Sequence, residues 1–208
     1  MKFNPFAENK APSRSMFAKE QKKQILATAE AVKDLEERYT IKEFLGVKMN
    51  YETRTFLKAL IDQGGEEEVQ LLVERVIREE DEEMRIIDND GALTRFSCGD
   101  LEIAQLPKLP STLESLYCYS TELESLPELP EGLRSLNIEG STLITTLPEL
   151  PEGLEDLILR STEISRLPNL PSSLLVLDCS WSPIALDLEY QAELKAQRPN
   201  LTIFAEVT

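Results

Sequence analysis

The chain has 208 residues, a net charge of −16, no histidine, three cysteines and 12 prolines against 8 glycines. With 41% hydrophobic and 29% charged residues it has the composition of a globular protein. The missing histidine excludes Ser-His-Asp and Cys-His nucleophile arrangements and every histidine-containing metal site. The acidic total opposes nucleic acid and anionic membrane surfaces, and no stretch approaches the roughly 20 apolar residues of a membrane span.

Charge divides the chain. Residues 1–60 hold 12 Lys+Arg and 8 Asp+Glu, and the remainder holds 10 and 30. Residues 1–15 carry Pro5, Pro12 and polar residues with no apolar period, and read as a flexible arm. This start also lacks the apolar core of a signal peptide. Over residues 16–38, Ile25, Ala29, Val32 and Leu35 recur at three- and four-residue steps and predict an amphipathic helix. Thr40-Ile41-Lys42-Glu43 has capping-box spacing and predicts a short second helix that Gly46 stops. A third helix is expected from about residue 51 to 62. A fourth is expected over residues 66–83, where Val69, Leu72, Val73, Val76 and Ile77 share one face.

Beyond residue 85 the sequence repeats. LPKLPSTL from Leu106, LPELPEGL from Leu126, LPELPEGL from Leu147 and LPNLPSSL from Leu167 are near copies at intervals of 20, 21 and 20, and they contain eight of the 12 prolines. Leu93, Phe96, Cys98, Ile103 and Leu106 stand 20 residues before Leu113, Leu116, Cys118, Leu123 and Leu126, so a copy without its prolines comes first and the array opens near Ile86. Around Leu116, Leu136, Leu157 and Leu177 the side chains alternate as in short strands, and stacked copies would pair them in parallel about 4.8 Å apart. The Pro-x-x-Pro half cannot supply ladder hydrogen bonds and should return as extended chain. One unit buries too little to fold alone, whereas stacked units bury a continuous leucine column.

These residues resemble the short, proline-bearing leucine-rich repeats of bacteria, found in YopM-like and IpaH-like effectors. The resemblance is specific from about Leu106 to Leu177 and implies an α/β leucine-rich-repeat solenoid that binds other proteins. The ubiquitin-ligase domain of the IpaH-like group is not expected, since the 24 residues beyond Ile184 contain no cysteine. At the bend, where such repeats usually carry asparagine, the aligned pairs are Ser120-Thr121, Ser141-Thr142, Ser161-Thr162 and Trp181-Ser182, so a hydroxyl ladder is expected. The extra residue of the longer unit is most simply Gly140, read as a bulge. Residues 66–83 are the natural N-terminal cover. A helix over residues 187–197 and a strand over 201–204 should close the other end, with Trp181 packing against that cap.

Candidate chemistry is sparse. Cys98, Cys118 and Cys179 share one inward repeat position, with Cys118 and Cys179 about 14 Å apart, too far to hold one metal ion. The run at Glu79-Glu80-Asp81-Glu82-Glu83 and the lysines at 19, 22 and 23 read as solvated helix surface. Asp88-Asn89-Asp90-Gly91 fails calcium-loop spacing and reads as a turn. What remains is the outward sheet face, from which Tyr117, Tyr119, Asn137, Glu139, Asp156, Ile158, Arg160 and Asp178 are the candidate protein-binding residues, because tyrosine and arginine are enriched among interface anchors.

The sequence therefore predicts a flexible arm (1–15), a helical N-terminal region and cap (16–85), leucine-rich repeats (86–184) and a C-terminal cap (185–208). It predicts a protein-interaction module without catalytic, cofactor or metal site, acting in the cytoplasm or as an effector delivered to a host cell by a non-classical route. Its acidic surround favours a basic protein or peptide on the concave face. The alternative is that the N-terminal helices are the functional, self-associating or effector unit and the repeats a scaffold.

Overall fold

A computed structural model describes residues 43–44, 47–63, 87–88, 90–99 and 103–207. The chain divides into two units, Met1–Ile41 and Lys42–Thr208, and every described residue lies in the second. The arm, the helix expected over 16–38 and the helix expected over 66–83 fall outside the described residues.

Where the capping-box motif predicts a helix, two short antiparallel strands stand instead: β1, Glu43–Phe44, and β2, Val47–Lys48, with Glu43 opposite Lys48 and Phe44 opposite Val47. Aromatic and β-branched residue types favour strands, and a four-residue motif match does not outweigh that pairing. The next element is helix α1, Tyr51–Ile61, as expected. Asn50 caps it by accepting the Thr53 N–H at 2.8 Å. Thr53, Phe56, Leu57 and Leu60 are buried along one stripe.

That stripe covers the first turn of the repeat. The rings of Phe56 and Phe96 meet edge-to-face with centroids 4.9 Å apart. Thr53 Oγ1 accepts the Leu93 N–H, the Asn50 N–H donates to the Gly91 carbonyl, and the Glu52 carboxylate accepts both the N–H and the hydroxyl of Ser111. The N-terminal cover seen here is thus α1. The Asp88–Gly91 segment is a turn, in which Asp88 Oδ1 accepts the N–H groups of Asp90 and Ala92 and Gly91 has φ +81°.

The repeats form a six-stranded, wholly parallel sheet. Its strands are β3 (Arg95–Ser97), β4 (Ser115–Tyr117), β5 (Ser135–Asn137), β6 (Asp156–Ile158), β7 (Val176–Asp178) and β8 (Thr202–Phe204), lying in sequence order. Phe96, Leu116, Leu136, Leu157, Leu177 and Ile203 stand in register. The middle residue of each strand from β3 to β7 is buried while its neighbours face outward. Behind the sheet, Leu113, Leu133, Leu154 and Leu174 form a second buried column. Each is placed by a turn in which its N–H donates to the carbonyl of a proline three residues earlier: Pro110, Pro130, Pro151 and Pro171. The prolines, which cannot donate, serve here as acceptors.

At the bend after each strand the chain takes a left-handed residue: Ser120 (φ +51°), Gly140 (+72°), Ser161 (+53°) and Trp181 (+56°). Gly140 is therefore the equivalent of Ser120 and Ser161 and not an inserted bulge. The additional residue of this unit lies later, in the turn at Thr142 and Leu143, which the Ile144 N–H closes on the Ser141 carbonyl. The bend pairs become Ser120-Thr121, Gly140-Ser141, Ser161-Thr162 and Trp181-Ser182.

The second member of each pair is a buried hydroxyl. Thr162 and Ser182 donate back to the carbonyls of Leu159 and Cys179 in their own bends. Ser141 instead donates across to Cys118 at 2.6 Å and lies 2.9 Å from Thr121 Oγ1. Since the Ser141 proton is spent on Cys118, Thr121 is the donor between the two hydroxyls. The expected hydroxyl ladder exists as local staples with one cross-link between coils.

After Trp181 come α2 (Pro183–Leu186), which the sequence did not signal, and α3 (Leu188–Gln197), which it did. Asp187 caps α3 on the Tyr190 N–H, Tyr190 accepts the Leu167 N–H at its hydroxyl, and Arg198 reaches the Leu170 carbonyl. Strand β8 then extends the sheet beside β7.

Candidate functional site

The strand register arranges the outward residues in three rows. One runs Arg95, Ser115, Ser135, Asp156, Val176, Thr202, and the next Ser97, Tyr117, Asn137, Ile158, Asp178, Phe204. A third, two residues on, runs Gly99, Tyr119, Glu139, Arg160, Ser180, Glu206. All eight sequence-nominated residues fall in these rows.

Within the rows the residues play different parts. Asn137 Oδ1 accepts the N–H of Glu139, and Asp178 Oδ1 accepts that of Ser180. Both side chains therefore spend one oxygen holding the chain as it leaves its strand. Arg160 is the electrostatic centre. Its Nη1 lies 3.5 Å from Asp178 Oδ2, and its buried Nε lies 3.5 Å from Glu139 Oε1 without hydrogen-bond geometry. The Arg160 guanidinium also sits over the Trp181 ring, 4.5 Å from its centroid.

Trp181 therefore belongs to this face rather than to the cap. Its N–H does bond the Glu206 carbonyl, but its ring packs against Arg160 and is 41% exposed. A bulky side chain at positive φ is uncommon. Phe204, 50% exposed, stands beside Asp178 in the second row. Sequence reasoning assigned it only to a closing strand. The signal was available, because an inward Leu201 and Ile203 put Phe204 outward. Tyr119, 37% exposed, lies against Gly99, where any Cβ would overlap its ring.

The cysteines stand apart from this face. Cys98, Cys118 and Cys179 are buried with free thiols. Burial, and then the Cys98 thiol, push the Cys118 pKa well up. Burial, then the Asp178 carboxylate, push that of Cys179 up to about 11. These groups stay protonated and unreactive at neutral pH. Among the described residues no three Cys, Asp or Glu side chains group as metal ligands, and no helix is long and apolar enough to cross a membrane.

Solved structures with the same arrangement include the leucine-rich-repeat domain of a Shigella effector, 26% identical with a TM-score of 0.50, over 65% of this chain and 58% of that one. YopM, a leucine-rich effector protein from Yersinia pestis, is 25% identical with a TM-score of 0.51, over 74% of this chain and 41% of that one. The chain thus spans about half the length of these structures. No protein-family model and no curated sequence matches it. The repeats form a short leucine-rich-repeat solenoid similar to those of bacterial effectors.

Proposed function

We propose that this protein is a non-enzymatic interaction module that holds a protein or peptide against the outward face of its parallel sheet, in an effector-type role. The observation that carries this reading is the line of partly exposed Tyr117, Tyr119, Arg160, Trp181 and Phe204 along one sheet face. A face with only a structural task can be small and polar throughout, whereas aromatic residues and arginine are the side chains that anchor interfaces. The two effector structures similar to this chain support an interaction role, and solenoids of this kind offer a continuous, usually concave strand face to partners. A net charge of −16 favours a basic partner.

The test is capture of partners by the intact chain against the same chain with Tyr117→Ser and Tyr119→Ser. Both side chains face outward, so the variant keeps its buried columns, and circular dichroism checks this. Loss of capture with the fold intact supports the reading. Unchanged capture moves the function to the N-terminal region.

A further inference from the structure

The aromatic groups are not spread evenly over the face. Tyr117 and Tyr119 lie on β4 and just beyond it, while Phe204 on β8 and Trp181 in the preceding bend lie at the far end. Tyr117 and Phe204 share one row, four strand steps apart, a backbone separation of about 19 Å at ~4.8 Å per step. Across the three rungs between them the face carries Glu139, Asp156 and Asp178 against Arg160. The Asp178 side chain is bound on both oxygens, whereas that of Glu139 is 43% exposed and held to Arg160 at 3.5 Å without hydrogen-bond geometry on Nε. Two apolar anchors thus flank an acidic centre.

Resting on the interaction reading above, we infer that the occupant is an extended peptide segment crossing the strands, with two apolar side chains six positions apart and basic residues between them. The geometry sets the spacing. An extended chain advances about 3.3 Å per residue and places every second side chain on the same side, so positions one and seven stand ~20 Å apart and face the sheet together. Positions three and five share that side and fall over the acidic rungs. One end sits against Tyr117 and Tyr119, and the other against Phe204 and Trp181. Lysine or arginine at the middle positions meets Glu139 and Asp156, and charge complementarity of this kind sets register and excludes acidic competitors.

The test uses the full chain and a fluorescent heptapeptide with phenylalanine at its first and last positions, lysine at the third and fifth and serine elsewhere. Two comparison peptides replace the lysines by glutamate, or shorten the chain so that the phenylalanines stand four positions apart. By fluorescence anisotropy the lysine heptapeptide should bind at least tenfold more tightly than either. Phe204→Ser and Tyr119→Ser should each reduce that preference to threefold or less, with circular dichroism unchanged. Equal binding of the three peptides, or none, overturns the inference. If the Tyr117→Ser, Tyr119→Ser variant still loses its protein partner in that case, the interaction module stands and only the occupant is wrong. If capture is also unchanged, both fall.

Discussion

The ring of Tyr119 rests on the backbone of Gly99, its neighbour on the preceding rung, and fills the space that a side chain at residue 99 would need. The glycine is what allows the tyrosine to lie flat along the face. Gly99→Ala should therefore swing the ring outward. Because the overlapping atoms belong to the outer part of a partly exposed side chain, the cost in stability should stay near 1 kcal/mol, a melting shift of about 2–4 °C. Partner affinity should fall at least fivefold. A loss of affinity no greater than twofold would show that the position of the ring is immaterial.

The left-handed bend residues give a second prediction. Gly140→Ala puts a Cβ at φ +72°, 2.9 Å from Ser120 Oγ, and should destabilise by about 1–2 kcal/mol. Ser161→Gly relieves the same backbone conformation at φ +53° and should be neutral or stabilising by up to ~1 kcal/mol. Urea midpoints with unchanged m-values check both. A neutral Gly140→Ala would count against the assignment of Gly140 to the bend.

Ser141 joins two coils, while Ser182 staples only its own. Ser141→Ala strips the Thr121 hydroxyl of its partner and the Cys118 carbonyl of a 2.6 Å bond, and should cost about 1–3 kcal/mol. Ser182→Ala should cost less, since its loss stays within one bend. A double-mutant cycle with Thr121→Val should return a coupling of about 0.5 kcal/mol or more. Strict additivity would remove the cross-link from the account.

Thiol chemistry offers a third kind of measurement. With Cys118 and Cys179 both raised by burial, the latter to about 11, a water-soluble disulfide reagent at pH 8 should label none of the three cysteines in the folded chain. It should label all three in denaturant. Rapid labelling of any one under native conditions would contradict the buried column.

Acid should loosen the junction of α1 with the repeats. The hydroxyl and N–H of Ser111 hold the Glu52 carboxyl below its usual range, with Lys108 adding to the effect. A group depressed in the folded state contributes stability above its unfolded value of about 4.3, and that contribution is lost as pH falls through the folded value. Glu52→Gln keeps an acceptor but cannot titrate. Its stability should change less than that of the parent between pH 5 and pH 3, by denaturant titration at each pH. An unaltered acid response would assign the sensitivity to other carboxylates, such as Asp187, which the Tyr190 N–H and Arg166 also depress.

The stacking was legible because two periodicities are written directly in the sequence: about 20 residues between leucine pairs, and two within each strand. Leu116, Leu136, Leu157 and Leu177 could be placed in register before any coordinates. The bend was harder, because its requirement is a backbone sign that no single residue type announces. Serine, glycine and tryptophan all occupy it, so Gly140 looked like an insertion. The Thr-x-x-Glu motif at Thr40 misled because four residues fit a helix start while the residues that follow pair as strands. Phe204 was missed as a face residue because its outward direction depends on β8 continuing the parallel ladder after a 26-residue interval from Val176, which no repeat foretells. Trp181 was placed against the cap because its contact with Arg160 belongs to three-dimensional adjacency alone.

The extra residue at Thr142 and Leu143 lies outside the strands, with Leu143 exposed, and the register from β5 to β6 continues undisturbed past it. Length can therefore vary at this corner without moving any buried side chain. It is the natural port for a grafted loop, and a protein engineer could lengthen this coil or insert an epitope there while leaving every neighbouring coil in place.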